Sequence, residues 1–186
     1  DDLLQIPECG LGTRERLLAQ GIRKIDDIES LDDFDAHQRR AIIAIQNRGP
    51  RGSKELAQKL TELTYPIHHI DFECYALTIP RFISMQPFES LPFQFSNHIE
   101  YADGHVEHRT FLYEGRDDPR EDFTKALLNA VGKKGTLCIY SNYETVAINR
   151  LADVFPSIRK ELQAIARRTF DLAHLIKHHF YHPEFN

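Results

Sequence analysis

Apolar residues first recur along the chain at helical spacing and then change to strand-like alternation, and the change falls near Tyr65. Before it, IPECGLGTRERLLAQGIRKIDDIES carries a glycine turn at Gly10 and Gly12. Thr13 is the expected N-cap of a short helix running through Gln20, which Gly21 can end. A second helix is expected from about Asp35 to Asn47, stopped by Gly49 and Pro50. Residues 50–65 read as a connector with a short helix from Ser53. Leu17, Leu18, Ile22, Ile25 and Ile28 are expected to form a small core of their own. Two short helices around a glycine turn also fit a helix-hairpin-helix-like contact with phosphate.

After Tyr65, YPIHHIDFECYA predicts a strand over about Ile67 to Tyr75, with Pro66 tolerated only at its beginning. A proline-bearing loop through Pro80, Pro87 and Pro92 follows. FQFSNHIEY and HVEHRTFLYE then flank Ala102-Asp103-Gly104, and an Asp-Gly turn between alternating runs is a hairpin signal. A helix is expected from Pro119 to Ala130, with Phe123, Ala126, Leu127 and Ala130 inward. GTLCIYS reads as the next strand. Tyr143 to Val154 reads as a helix with Val146, Ala147, Leu151 and Ala152 inward. Another helix starts at Pro156, and Thr169-Phe170-Asp171 reads as a short strand before a helix from Leu172. Antiparallel strands first and crossovers afterwards predict an α/β fold, a ribonuclease H-like mixed sheet flanked by helices and preceded by a small helical segment. The expected organisation is a helical segment and connector over 1–64 and a partial ribonuclease H-like domain over 65–186.

Composition narrows this picture modestly. With 186 residues, the chain has room for one sizeable core and an appendage. The sequence starts without an initiator Met and stops directly after an aromatic-rich segment, so a piece of a larger protein is expected. Cys9, Cys74 and Cys138 can form neither a complete disulfide set nor a CxxC pair, which suits a reducing, cytoplasmic setting. No run approaches the roughly eighteen apolar residues of a membrane span, so no membrane partner is expected. A net charge of -5 argues against nonspecific wrapping of nucleic acid. Carboxylates that hold a divalent cation count in that total, however, and they are neutralised when it binds.

The sharpest chemical feature is Asp71-Phe72-Glu73 inside the first long strand. Residues two apart on a strand share a face, so both carboxylates project together while Ile70, Phe72 and Cys74 enter the other side. Glu144 follows the later strand at a helix start, where ligands of open α/β sheets gather. If the two strands are neighbours, Asp71, Glu73 and Glu144 converge and suit Mg²⁺ or Mn²⁺, which prefer hard oxygen ligands. The plain alternative is a D-x-E pair at a solvated sheet margin. Asp171 is expected to cap the last helix or to support the ligands from behind. His174 and His178 share a helical face, but no HExxH or Cys/His set accompanies them, and zinc is not expected. GxGxxG after a strand, GxxxxGK[ST] and GxSxG are all missing, which disfavours dinucleotide, P-loop and serine-hydrolase chemistry.

At DFE, YSNYE and RTFDL the sequence resembles the DnaQ-like 3′–5′ exonucleases of the ribonuclease H-like superfamily. More narrowly, YPIHHIDFECY, PFQFSNHI, HRTFLYEGRDDPR, GTLCIYSNYE and RTFDLAHLIKHHFYHPEF together resemble an uncharacterised bacterial family, the domain of unknown function 2779, over about residues 65–186. The superfamily resemblance implies a two-metal phosphodiester hydrolase acting on DNA or RNA, with Asp71 and Glu73 matching the first acidic pair and Glu144 the second acidic position. Many exonucleases have Asp at that second position, so Glu144 departs by one methylene. Tyr140 stands where relatives carry an Asn, with Asn142 nearby to support the ligands. Asp171 matches the acid after the penultimate core strand, and no terminal catalytic Asp follows it. The fragment is therefore expected to hold three of four acidic ligands and to bind metal weakly. The resemblance also implies a covalently linked RecB-like nuclease portion in the larger parent. His178 and Arg168 are further residues expected near phosphate. The competing readings are a noncatalytic nucleic-acid-binding or scaffolding module that retains the fold, and an acid/base hydrolase of a small substrate.

Overall fold

The computed structural model describes residues 2–185. The chain divides into two compact units, one running up to Thr61 and resuming from His174, the other spanning Glu62–Ala173. In chain order the elements are α1 (Leu11–Ala19), α2 (Ala36–Gln46), β1 (Arg51–Gly52), α3 (Glu55–Leu60), β2 (Ile67–Ala76), β3 (Ser90–Glu100), β4 (Val106–Leu112) and α4 (Arg120–Val131). They continue with β5 (Thr136–Ile139), α5 (Tyr143–Val154), α6 (Arg159–Ala166), β6 (Thr169–Asp171), α7 (Leu172–His179) and β7 (Phe180–Tyr181). No helix among the described residues is long and apolar enough to cross a membrane.

In the unit containing the N-terminal helices, Leu3, Ile6, Leu17, Ile25, Ile28, Phe34 and Ile42 form one buried cluster. Leu18, expected inside, is 38 % exposed. Helix α1 starts at Leu11 behind Gly10, so Thr13 lies within its first turn and does not cap it. Helix α2 has the reciprocal cap its sequence encodes: Gln38 N–H donates to Asp35 Oδ1 at 2.9 Å, and Asp35 N–H to Gln38 Oε1 at 3.2 Å. A short antiparallel pairing joins β1 to β7, setting Arg51 opposite Tyr181 and Gly52 opposite Phe180. Tyr181 is buried against Ala41 and Ala44 of α2.

The second unit is a mixed α/β assembly in which helices flank a five-stranded sheet of order β4-β3-β2-β5-β6. Strands β2, β3 and β4 pair antiparallel, and β5 and β6 add in parallel. This is the mixed sheet expected from the order of elements. Alternation along β2 puts Ile70 and Phe72 into the core and leaves His69, Asp71 and Glu73 exposed. On that exposed side the register aligns His69, His98 and His108 in one cross-strand row and Asp71, Ser96 and Thr110 in the next. The His98 and His108 rings stack at 4.0 Å.

The core is organised by aromatic rings from three strands and one helix. Phe123 of α4 is fully buried. Its ring meets Phe72, Phe95 and Phe111 edge-on at centroid distances of 5.0, 5.7 and 6.0 Å, a favoured aromatic geometry. The inward face of α5 is Ala147, Ile148, Leu151 and Ala152. Val146, expected inward, is half exposed, and Ile148 takes its place. The far end of α4 is finished by arginines. Arg168 donates to the Gly132 carbonyl at 2.8 Å and to that of Gly135 at 3.1 Å, while Arg109 reaches the Ala130 carbonyl at 3.4 Å. Arg168 is thus engaged in satisfying helix-end carbonyls. Gly135 has φ +88°, and a Cβ there would collide with the Pro66 carbonyl, so this entry to β5 requires glycine.

Phe123→Ala removes the ring on which three others converge, and it is expected to lower unfolding free energy by about 3–5 kcal/mol in denaturant titration. Val146→Ala on the same sheet unit, at a half-exposed helix position, is expected to change it by less than about 0.5 kcal/mol.

Candidate functional site

Strand β2 is ten residues long, but β5 pairs with it only at Ile67, His68 and His69. Among the described residues, no strand neighbours that edge of β2 beyond His69. Its N–H groups need other acceptors, since buried backbone polar groups are almost always paired. The chain leaving β5 supplies one. It turns at Ser141, whose φ is +81°, and enters α5 at Tyr143. Glu144 in the first turn of α5 then comes beside the Phe72 N–H, which favours its charged form.

Glu144 occupies the same helical face as Ala147, Ile148 and Leu151, which carries it inward. Only 3 % of its surface is exposed. Burial is the main reason its pKa stands above the ordinary carboxylate value. The N–H at its own position opposes that rise, and the Asp71 charge reinforces it. The Phe72 N–H opposes it again, and a hydrogen bond with Asp71 adds to it. The carboxyl groups of Asp71 and Glu144 are therefore within hydrogen-bonding reach of each other, one on the exposed face of β2 and the other buried at a helix start. Glu144 Oε2 is buried and has no hydrogen-bond partner among the described residues.

Cys74 and Tyr143 complete the surroundings. Burial raises the Cys74 thiol pKa, a hydrogen bond from Tyr143 lowers it, and the Glu144, Glu73 and Asp71 charges raise it again. All three predicted carboxylates thus act on one sulfur. The Tyr143 hydroxyl pKa is likewise raised, first by burial and next by its Cys74 hydrogen bond, against a Ser90 contact that lowers it. Neither Cys74 nor Tyr143 was singled out from sequence as part of the site. The available signal was Tyr143 standing directly before Glu144 while Cys74 directly follows Glu73.

The structure brings Asp71 and Glu144 together and leaves Glu73 one strand repeat further on. Among the described residues no group of three or more His, Cys, Asp or Glu side chains is gathered closely enough to hold a metal ion. What is present is a carboxyl pair with one buried, unpartnered oxygen. That donor chemistry fits Mg²⁺ or Mn²⁺, because a hard cation relieves carboxylate repulsion and takes the free lone pair. Asp171 stands opposite Ile139 in the sheet, and its Oδ1 accepts from the Ser141 N–H at 3.2 Å. It holds the turn from which α5 departs. Asn142 is exposed at the N-cap position of α5 and makes no side-chain cap bond.

Glu144 makes stability depend on pH in a definite direction. Once pH passes its ordinary value of 4.5, the unfolded chain releases a proton that the folded chain retains. Stability contributed by this group therefore falls as pH rises from that point through the raised folded value. Denaturant unfolding across this range in the presence of a chelator is expected to show that fall in the wild type and a flatter profile in Glu144→Gln. Superimposable profiles would assign the dependence to another group.

A family model described as Domain of unknown function (DUF2779) matches residues 68–186. No curated protein matches the chain, and no solved structure does.

Proposed function

Because this chain belongs to the family described as a domain of unknown function (DUF2779), a description that carries no activity, we propose from its own carboxyl groups that it is a divalent-metal-dependent nuclease hydrolysing nucleic-acid phosphodiesters. The observation that carries this reading is the Asp71–Glu144 contact with its buried, unpartnered Glu144 oxygen. A 3′–5′ exonuclease action is the form implied by the resemblance of DFE, YSNYE and RTFDL to DnaQ-like enzymes.

In this reading Asp71 and Glu144 hold Mg²⁺ or Mn²⁺ with Glu73 beside them. When bound, such an ion supplies electrostatic stabilisation of the charge that develops on phosphoryl oxygen. The chain's own contribution is positioning. The Phe72 N–H favours the ionised Glu144 carboxyl, and Asp171 fixes the Ser141 turn from which α5 departs. Burial of Glu144 raises the cost of its ionised form, so a cation at the pair is favoured over two bare charges. Asp71 and Glu73 lie on the exposed face, where a strand of nucleic acid has access.

The test combines Mn²⁺ calorimetry with cleavage of end-labelled single- and double-stranded DNA and RNA, on this chain and on the longest form of the protein. Asp71→Asn and Glu144→Gln are each expected to lower cleavage by more than roughly a hundredfold and to weaken ion binding. Strand binding by a wild type that takes up no divalent ion and cuts nothing would instead identify a noncatalytic nucleic-acid-binding module.

A further inference from the structure

Just past the carboxylates, β2 runs into a cavity of about 260 Å³ whose lining includes Tyr75, Phe82, Phe93, Tyr113, Arg81 and Arg116. Its position follows from a register shift. Glu73 lies opposite Gln94 and Cys74 opposite Pro92, so Phe93 is an extra residue that no β2 residue faces. Such bulges bend a strand and re-aim a side chain, and they recur beside functional sites. Here the bulged Phe93 stacks on Tyr75 with centroids 4.3 Å apart and planes 19° apart, while Tyr75 remains 53 % exposed. Tyr75 is two residues beyond Glu73, about 7 Å along an extended strand.

The rest of the lining combines cationic and aromatic groups with the aliphatic Leu77, Leu91 and Pro119. The loop from β2 to β3 contributes Arg81, whose guanidinium carbon lies 5.6 Å from the centre of the Phe82 ring and which donates to the Arg116 carbonyl at 3.1 Å. A second tie anchors the same loop. Buried Arg120, paired with Asp118, donates to the Ile83 carbonyl at 2.8 Å. The acidic residue of the lining, Asp117, accepts the hydroxyl of Tyr113.

We propose that this cavity binds an unpaired nucleobase of the strand presented to Asp71 and Glu144, with the adjoining phosphate facing Arg81 and Arg116. The assignment rests on the nuclease reading and adds to it a substrate form, single-stranded or frayed nucleic acid. Aromatic faces stack on any base and so bind without sequence preference. A base inside a duplex already has its faces covered by its neighbours, so a duplex cannot fill the cavity. Arginine suits the phosphate because its planar donors match phosphate oxygens.

Fluorescence anisotropy of a short labelled single strand, measured on the 186-residue chain in chelator to prevent cleavage, tests this. Tyr75→Ala is expected to weaken binding about tenfold and Tyr75→Phe to restore it, since the ring and not the hydroxyl stacks. Arg116→Ala is expected to weaken binding and to reduce its salt dependence. A blunt duplex is expected to bind equally well to wild type and Tyr75→Ala. Wild-type binding to a single strand that Tyr75→Ala leaves unchanged overturns the cavity assignment, and so does the absence of single-strand binding. The nuclease reading is read separately from Asp71→Asn. Loss of cleavage there with an indifferent Tyr75→Ala sinks the cavity alone, whereas full cleavage by Asp71→Asn with a weakened Tyr75→Ala sinks the carboxylate chemistry and leaves the base site standing.

Discussion

The unequal length of two neighbouring strands governs this molecule. Strand β2 continues well past the end of β5, and the edge so exposed must be satisfied by something other than a strand. Glu144 comes beside the Phe72 N–H there, and this brings its carboxyl group close to Asp71. A longer β5 would have paired with β2 at that point and left no room for a side chain. The same shortfall thus brings the acidic pair together.

The arrangement tolerates a buried acid because the surrounding scaffold is stiff. Phe72, whose N–H lies beside Glu144, has its ring edge-on against Phe123. The face of α5 that holds Glu144 inward is continued by Ala147, Ile148 and Leu151 in the same core. From the other side of β5, Asp171 grips the Ser141 N–H. Side-chain packing and a side-chain-to-backbone bond therefore act on one helix start, and interiors packed this closely resist small displacements. Burial of Glu144 without a full complement of partners is a local cost.

Where the edge of β2 is held on one side, its other neighbour breaks register. The shift between Glu73 and Cys74 turns Phe93 out of the pairing pattern and stacks it on Tyr75. Acidic chemistry and an aromatic, arginine-lined cavity consequently succeed one another along a single strand. The loop that closes the cavity is tied down by Arg81 and Arg120 through backbone carbonyls, so its placement depends on contacts far along the chain.

Local order was legible without coordinates. Alternation in IHHIDFECYA put Asp71 and Glu73 on one face, Asp103-Gly104 marked the hairpin, and Tyr143 and Val154 bounded a helix, because strand and helix periods follow from covalent geometry and steric limits on the backbone. The burial of Glu144 was legible in its helical phase, since it stands three, four and seven residues before Ala147, Ile148 and Leu151. That same phase put Val146 outside and Ile148 inside. Long-range pairing decided the remainder: how far β5 accompanies β2, the meeting of Ser141 with Asp171, the extra Phe93, and the joining of Arg51–Gly52 with Phe180–Tyr181. These contacts link residues far apart in the chain, and their selection depends on how the whole core packs, which no short window of sequence contains.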